Sequence, residues 1–339
     1  MKVPSKLLGP QLPATAGEGH VESWFFQASD PAARRGVWMR WTIFARAAAF
    51  VPPVASLWAI AFDRDRGHVA TKTTVPLAGA RATAGLLDVE VDGGTLGAER
   101  TRGAVETGRR RIAWDLAIGP ALASPILHLP SRALYGGAGP FPSKLLTPLS
   151  SARSVGEVRV RRGAEAMDEE HWVIDGWPCM IGHNWGRRHA DLYAWAHVGA
   201  WENAEDLVFE AVSARTRMGP MLSPIATAAF VRVRGRSFDL NTPISLVQSR
   251  GLFSQRRWEI DARRRDVRVI AELAAETDDL VGLHYDNPDG TLTYCLGTKL
   301  ARAHLELHLP GGEKLTATSR SAGFEIGTHE ADHGVRMYV

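Results

Sequence analysis

The stretch "VWMRWTIFAR", residues 37–46, decides the fold. Val37, Met39, Trp41, Ile43 and Ala45 alternate with Trp38, Arg40, Thr42, Phe44 and Arg46. A period of two sends successive side chains to opposite faces of a pleated strand, so this reads as a β-strand with one apolar face. The same rhythm runs upstream in "VESWFFQ" (21–27) and downstream in "SLWAIAFDRD" (56–65), "HVATKTTV" (68–75), "LLDVEVDGG" (86–94) and "RRIAWDLAI" (110–118). It continues in "GEVRVRRG" (156–163), "EEHWVIDGW" (169–177), "DLYAWAHVGA" (191–200), "DLVFEAVSA" (206–214), "RRWEIDARRR" (256–265) and "LTYCLGTKLARAHLELHL" (292–309). Turn chemistry separates the early runs: "SDPAARRG", "DRDRG", "VDGG" and "ETGRR". Regular short strands with such punctuation predict an all-β fold of sandwiches or barrels. Only "PSRALY" (130–135), "PSKLLTPLSS" (142–151) and "MLSPIATAA" (221–229) suggest a turn or two of helix.

Two stretches interrupt the pattern. Residues 119–154 are rich in Pro, Gly and Ser, and residues 214–228 form a shorter run of the same kind. A loop as long as the first is usually functional. It is expected to cover a barrel mouth or cleft, with Tyr135, Phe141 and Lys144 near the opening; the alternative is a plain surface connection.

The totals bound the function. A chain of 339 residues exceeds one ordinary core, so two units are expected. Net charge is +3, and arginine runs such as "RRR" at 109–111 and 263–265 have acids close by. A nucleic-acid binder should show a larger basic excess, so none is expected as a partner. Cys179 and Cys295 are the only cysteines, too few for a disulfide framework, and both read as core residues. The N-terminus lacks an apolar signal-peptide stretch, and no segment approaches the ~20 apolar residues of a membrane helix. A cytoplasmic location with reduced thiols is expected.

Several chemistries have no motif here: GxSxG, a Walker loop, HExxH and a dinucleotide loop are all missing. His171, His183, His189 and His197 cluster in sequence, but without metal-ligand spacing. Neither a metal nor any other cofactor is expected. Glu22 keeps step with Trp24 and Phe26, and Arg40 is its candidate cross-strand partner. Asp63 and Asp115 close apolar strands and read as strand-end residues. Further on, Tyr193, Trp195 and His197 share one strand face while Leu192, Ala194, Ala196 and Val198 share the other. Neither face is charged, so that strand is expected to be covered on both sides. Glu210 stands between Val208 and Val212 on one face, where a carboxylate is either paired or has a raised pKa. Eleven tryptophans supply core area, and with one protonated carboxyl they also suit carbocation chemistry.

The pattern "VESWFFQASDP…WMRWTIFAR", "PFPSKLLTPLSSARSVGEVRV…DGWPCMIGHNWGRRHADLYAWAH" and "VGLHYDNPDGTLTYCLGTKLAR" resembles the AttH-like and carotenoid 1,2-hydratase superfamily along nearly the whole chain. That superfamily is built from two lipocalin-like β-barrels side by side, and its relatives include fungal pericyclases and tocopherol cyclase. Many relatives carry a landmark similar to Asp-His-Glu-Trp-Gly at the barrel junction. In "GHNWG" (182–186), His183, Trp185 and Gly186 match it, while Gly182 and Asn184 replace the two acids. The resemblance implies one barrel over residues 1–188 and a second over 189–339, with the seam near 186–190. It implies a cofactor-free lyase or isomerase, a hydratase or cyclase, acting on a hydrophobic terpenoid, polyene or polyketide-derived substrate. The rival reading is a non-catalytic lipid or isoprenoid carrier. The residues expected to act are His183, Glu210 and His197. Those expected to bind substrate are Glu22, Trp24, Arg40, Asn184, Trp185, Tyr193, Trp195 and Tyr135.

Overall fold

The computed structural model describes residues 3–11, 17, 19–48, 50–136, 143–163, 168–218 and 221–339. The alternating pattern forms two large antiparallel sheets with few short helices, an all-β fold as the sequence predicts. The main run of the first sheet is Val69–Pro76, Val54–Asp63, Arg35–Ala45, His20–Ser29, Glu169–Gly186, Ser143–Arg161, Arg110–Ile118 and Arg100–Thr107. Shorter strands down to Ala80–Ala82 extend it. The sheet curls until its ends meet: the Thr107 hydroxyl accepts from the amide of Lys72 and donates to its carbonyl, both at 2.9 Å. The second sheet runs Arg236–Leu240, Ala226–Val233, Leu207–Arg215, Leu192–Val198, Lys314–Thr328, Leu292–His308, Val267–Ala274, Arg257–Arg264 and Arg250–Phe253. The chain crosses from one sheet to the other over residues 187–191.

Each sheet wraps its own core. Trp24, Met39, Trp41, Leu57, Ile112 and Trp114 fill the first; Phe209, Val231, Trp258, Leu305 and Phe324 fill the second. A third apolar layer joins them, in which Trp38, Trp58, Ile60 and Phe62 meet Trp195, Leu283, Tyr285 and Leu300. This layer amends the reading of the opening stretch. Val37, Met39, Trp41 and Ile43 face the first core as expected, but Trp38 and Arg40 on the other face are buried too. The second sheet covers them, so the strand has two buried faces. Leu192–Val198 likewise turns Ala194, Ala196 and Val198 into its own core and Trp195 into the shared layer.

The helix expectations fare unevenly. Arg132–Tyr135 is a short 3-10 helix. Residues 143–151 belong instead to the long strand Ser143–Arg161; pairing with Glu169–Gly186 on one side, and with Ile126–Leu127 at Leu146 and Thr147 on the other, recruits them into a ladder that local propensity does not foresee. Residues 221–229 are extended as well. The α-helix Pro243–Gln248 was not read in the sequence, although its signal is plain: Thr242 caps it by accepting from the Ser245 amide, and Pro243 opens it. No helix among the described residues is long and apolar enough to cross a membrane.

Candidate active site

"GHNWG" is the end of strand Glu169–Gly186, paired on both sides, so it is not the flexible point its glycines suggest. His183 lies opposite Trp24 on one neighbour and Leu146 on the other. Gly182 serves packing: an added Cβ would sit 2.1 Å from the Phe25 ring. Alternation then divides the motif. His183 turns into the first sheet, and Asn184 turns outward.

Asn184 faces a cavity of about 800 Å³ between the sheets. Phe25, Trp38, Leu145, Trp195, Val212 and Ala228 give it a largely apolar wall. Polar groups enter from Arg40, Asn184, Tyr193, Glu325 and His128. The volume suits a drug-sized ligand. Of the residues expected at a pocket, Arg40, Asn184, Tyr193 and Trp195 come together here.

Glu210 stands one layer behind this wall, fully buried. Its Oε1 accepts from His128 Nε2 at 2.8 Å, from the Thr147 hydroxyl at 2.8 Å and from Trp195 Nε1 at 3.0 Å. Its Oε2 and His128 Nδ1 have no hydrogen-bond partner among the described residues. Burial by itself would raise the Glu210 pKa; the His128 imidazole beside it, His197 and the Thr147 hydroxyl outweigh that and hold it below the ordinary range. Of the two alternatives the sequence leaves for Glu210, a partner or a raised pKa, the structure shows the first. The group is an ionised partner that orients an imidazole.

His128 arrives from the first half of the chain. Residues 124–129 lie against the second sheet, where Arg232 donates to the carbonyls of Ser124 and Pro125. Asn241 Nδ2 donates to the carbonyls of Leu127, His128 and Leu129 at 3.0, 3.3 and 3.2 Å. Ile126 packs on Ala228 and Phe230. The Pro/Gly-rich segment thus adds His128, Leu129 and Pro130 to the cavity wall. Tyr135 and Lys144 are buried away from that wall, and Phe141 lies outside the described residues. The Tyr135 hydroxyl donates to Leu145 O at 2.8 Å and accepts from Leu129 N at 3.1 Å, so it ties the segment down.

The remaining candidates belong to other settings. His197 is neutral and pushed down in pKa by burial; its Nε2 donates to Ser150 O at 2.8 Å and its Nδ1 faces Gln27 Nε2 at 3.3 Å. Both nitrogens are spent on the first sheet. Glu22, Trp24 and His183 form a closed cluster inside the first sheet. Glu22 accepts from His183 Nε2 at 2.8 Å, from His20 Nε2 at 3.0 Å and from the Gln11 amide at 2.9 Å. Burial alone would raise the Glu22 pKa, but hydrogen bonds from His183 and His20 hold it low. Trp24 stacks on His183 at 4.7 Å, and Trp185 packs on the same imidazole at 4.6 Å and on Tyr135 at 5.8 Å. The expected Glu22–Arg40 pairing does not form. Register places Glu22 opposite Ile43 and Arg40 opposite Phe25, which puts the two on opposite faces.

Sequence reasoning missed three groups, of which His128 and Glu325 line the cavity. His128 carried a signal, an imidazole between leucines in "ILHLP" within the segment already marked as a cover. Glu325 had one too, since glycines at 323 and 327 flank it on the same face. A Cβ at Gly327 would meet the Tyr193 ring at 1.8 Å; without it the ring folds over, and its hydroxyl donates to Glu325 at 2.5 Å. Lys299 left no signal. It is buried with its Nζ 5.5 Å from the Trp195 ring centre, and burial pushes its pKa down to about 8.

Fold and cavity define an antiparallel two-sheet protein with a largely apolar interior cavity. A model of tocopherol cyclase-like proteins matches residues 95–328, and the chain belongs to that family. An uncharacterised protein of Mycobacterium tuberculosis, known from strains CDC 1551 and H37Rv, is 26% identical over 321 residues, covering 94% of this chain and 87% of that protein. Among solved structures, a candidate AttH of Nitrosomonas europaea aligns with a TM-score of 0.56 at 15% identity, over 97% of this chain and 100% of the other. CghA aligns with a TM-score of 0.55 at 11% identity, over 97% of each chain. At these identities the structural likeness carries the fold, and it agrees with the AttH-like resemblance read from the sequence.

Proposed function

We propose that the protein is a cofactor-independent lyase or isomerase of cyclase or hydratase type. Its substrate is a hydrophobic terpenoid, polyene or polyketide-derived molecule held in the cavity between the sheets. The observation behind this reading is the His128–Glu210 pair. A carboxylate fixes one imidazole nitrogen, the other is buried without a partner among the described residues, and His128 lines an apolar cavity. With Glu210 accepting from Nε2, Nδ1 is free to take a proton from a substrate hydroxyl or activated C–H as a ring bond forms. The imidazolium then returns that proton elsewhere on the same molecule, so a cyclisation needs no further reactant. Glu210 stabilises the transient charge, and such proton transfer is worth ~10²–10⁴-fold in rate. Trp38 and Trp195 would hold a flexible chain folded for closure and face any cationic character that develops. Asn184 would orient a polar group of the substrate. The family match favours the cyclase branch. His183 and His197 take no chemical role in this reading, because both are saturated.

A carrier would need only the apolar wall, and the open-valence pair argues for chemistry. We also read residues 1–188 and 189–339 as two structural units. We assign the protein to the cytoplasm, which suits two buried, unpaired cysteines. The test is incubation of wild type and His128→Gln with linear terpenoid, polyene and polyketide-derived compounds, products being followed by chromatography and mass spectrometry. Isomeric cyclised or hydrated product from wild type, lost in the variant, supports the reading. Binding without any product, in both proteins alike, sinks it in favour of a carrier.

A further inference from the structure

One wall of the cavity carries a cation that makes no ion pair among the described residues. Arg40 is 3% exposed, and its Nε is buried without a hydrogen-bond partner among the described residues. Its guanidinium lies over the Tyr285 ring, 4.1 Å from the centroid, and its Nη2 donates to His189 Nε2 at 3.4 Å. Neither neighbour is negative. His189 Nδ1 lies 3.0 Å from the Asn287 side-chain oxygen, which only accepts. The ring proton is therefore on Nδ1, and Nε2 is left as an acceptor for Arg40. An arginine cannot escape burial by shedding its proton, and a buried charge without a partner is costly.

The surroundings suit an anion. Arg40 and His189 line both the large cavity and an adjoining hollow of about 90 Å³. Thr42, Ser56 and Thr74 bring hydroxyls to that hollow, and Lys72 brings a second cation, its Nζ 3.9 Å above the Trp58 ring. Asp286 is the carboxylate lining the hollow, and it is exposed. In the large cavity the carboxylate is Glu325, which already accepts from Tyr193.

We propose that Arg40 seats the acidic end of the substrate: the ligand is an amphiphile with an apolar body in the large cavity and a carboxylate or phosphate group against Arg40. This rests on reading the cavity as the substrate site. An anion there would take up the open Nε donor. It would also fix which end of the chain faces His128 on the opposite wall.

Calorimetric titration with dodecanoate, dodecyl phosphate and dodecanol at pH 8 tests it. The acidic probes should bind about tenfold or more tightly than the alcohol, the factor one charge-assisted hydrogen bond supplies. Arg40→Met should erase the preference while leaving dodecanol affinity unchanged, and Arg40→Lys should keep part of it. The wild-type comparison needs no variant, so a poorly folding Arg40→Met does not spoil the test. Preference for one acidic probe over the other distinguishes a carboxylate from a phosphate end. Equal affinity for acids and alcohol overturns the inference and leaves the apolar site standing. No binding of any probe overturns both.

Discussion

Two buried carboxylates hold imidazoles among the described residues, Glu22 inside the first sheet and Glu210 across the seam between the sheets, and they differ in how their valences are filled. Glu22–His183 and Glu210–His128 have the same 2.8 Å separation and fully buried carboxylates with lowered pKa. In the first pair every valence is used. His183 Nδ1 donates to Leu7 O at 2.9 Å, and both Glu22 oxygens accept from the Gln11 amide as well as from a histidine. Both His183 nitrogens are engaged, one by Leu7 O and one by Glu22. The pair latches residues 7–11 against the first sheet. In the second pair one oxygen and one nitrogen are open, and the imidazole borders a cavity. The same chemical pair is a fastener where its valences are closed and a tool where they are not.

Removing the fastener should give the largest effect on stability. His183→Ala leaves a buried carboxylate with fewer partners, and breaking such a pair costs about 3–5 kcal/mol. Thermal melting should fall sharply, with activity per folded molecule unchanged. A variant that melts like wild type would break the comparison from the first side. His128→Gln attacks the other side. The glutamine amide still offers a donor to Glu210 but no proton-accepting nitrogen. Turnover should drop by about 100-fold or more while the melting temperature moves little. The reverse pattern, a large melting shift with proportionate activity, would make both pairs fasteners.

The fold was legible because alternation is local: "VWMRWTIFAR" and its neighbours carry their own period. The shared face of Tyr193 and Trp195 and the outward turn of Asn184 follow from the same rule. Pairing is not local. Glu22 and Arg40 are each in step with aromatics, yet only register shows that they turn to opposite faces. His183 and Asn184 are adjacent in the sequence and point into different compartments. His128 was hidden because its partner lies 82 positions away on the other sheet, and contacts as distant as Asn241 and Arg232 hold its loop in reach. Residues 143–151 look locally irregular, but pairing with Glu169–Gly186 and with Ile126–Leu127 makes them a strand.

The layer between the sheets should respond to acid before either pair does. Burial and the neighbouring Arg40 and Arg188 charges push His189 down from 6.5 to about 3. The unfolded chain therefore takes up a proton there that the folded chain refuses. The contribution is complete above pH 6.5 and is lost as pH falls toward 3. His197 is shifted the same way by burial. Glu22 and Glu210, lowered from 4.5, lose their contribution only below that value. Urea midpoints should decline between pH 6.5 and 4.5, and His189→Gln should flatten that limb without changing the steeper one below. A flat wild-type profile down to pH 4.5 contradicts the assignment.

The smallest effect should come from the loop that delivers His128. Asn241 holds the carbonyls of Leu127, His128 and Leu129 with one amide nitrogen. Three acceptors share two hydrogens, so no single bond there is strong, and Arg232, Ile126 and Tyr135 hold the same segment independently. Asn241→Ala should cost only about 1 kcal/mol in stability, the usual net worth of a hydrogen bond. Its mark should be on chemistry. With the segment less firmly held, the His128–Glu210 distance would spread, and a misplaced catalytic group loses rate quickly. Turnover should fall several-fold with little change in apparent substrate affinity, since the apolar wall is intact. If affinity falls and turnover does not, the segment is a lid on the cavity and His128 is part of its seal.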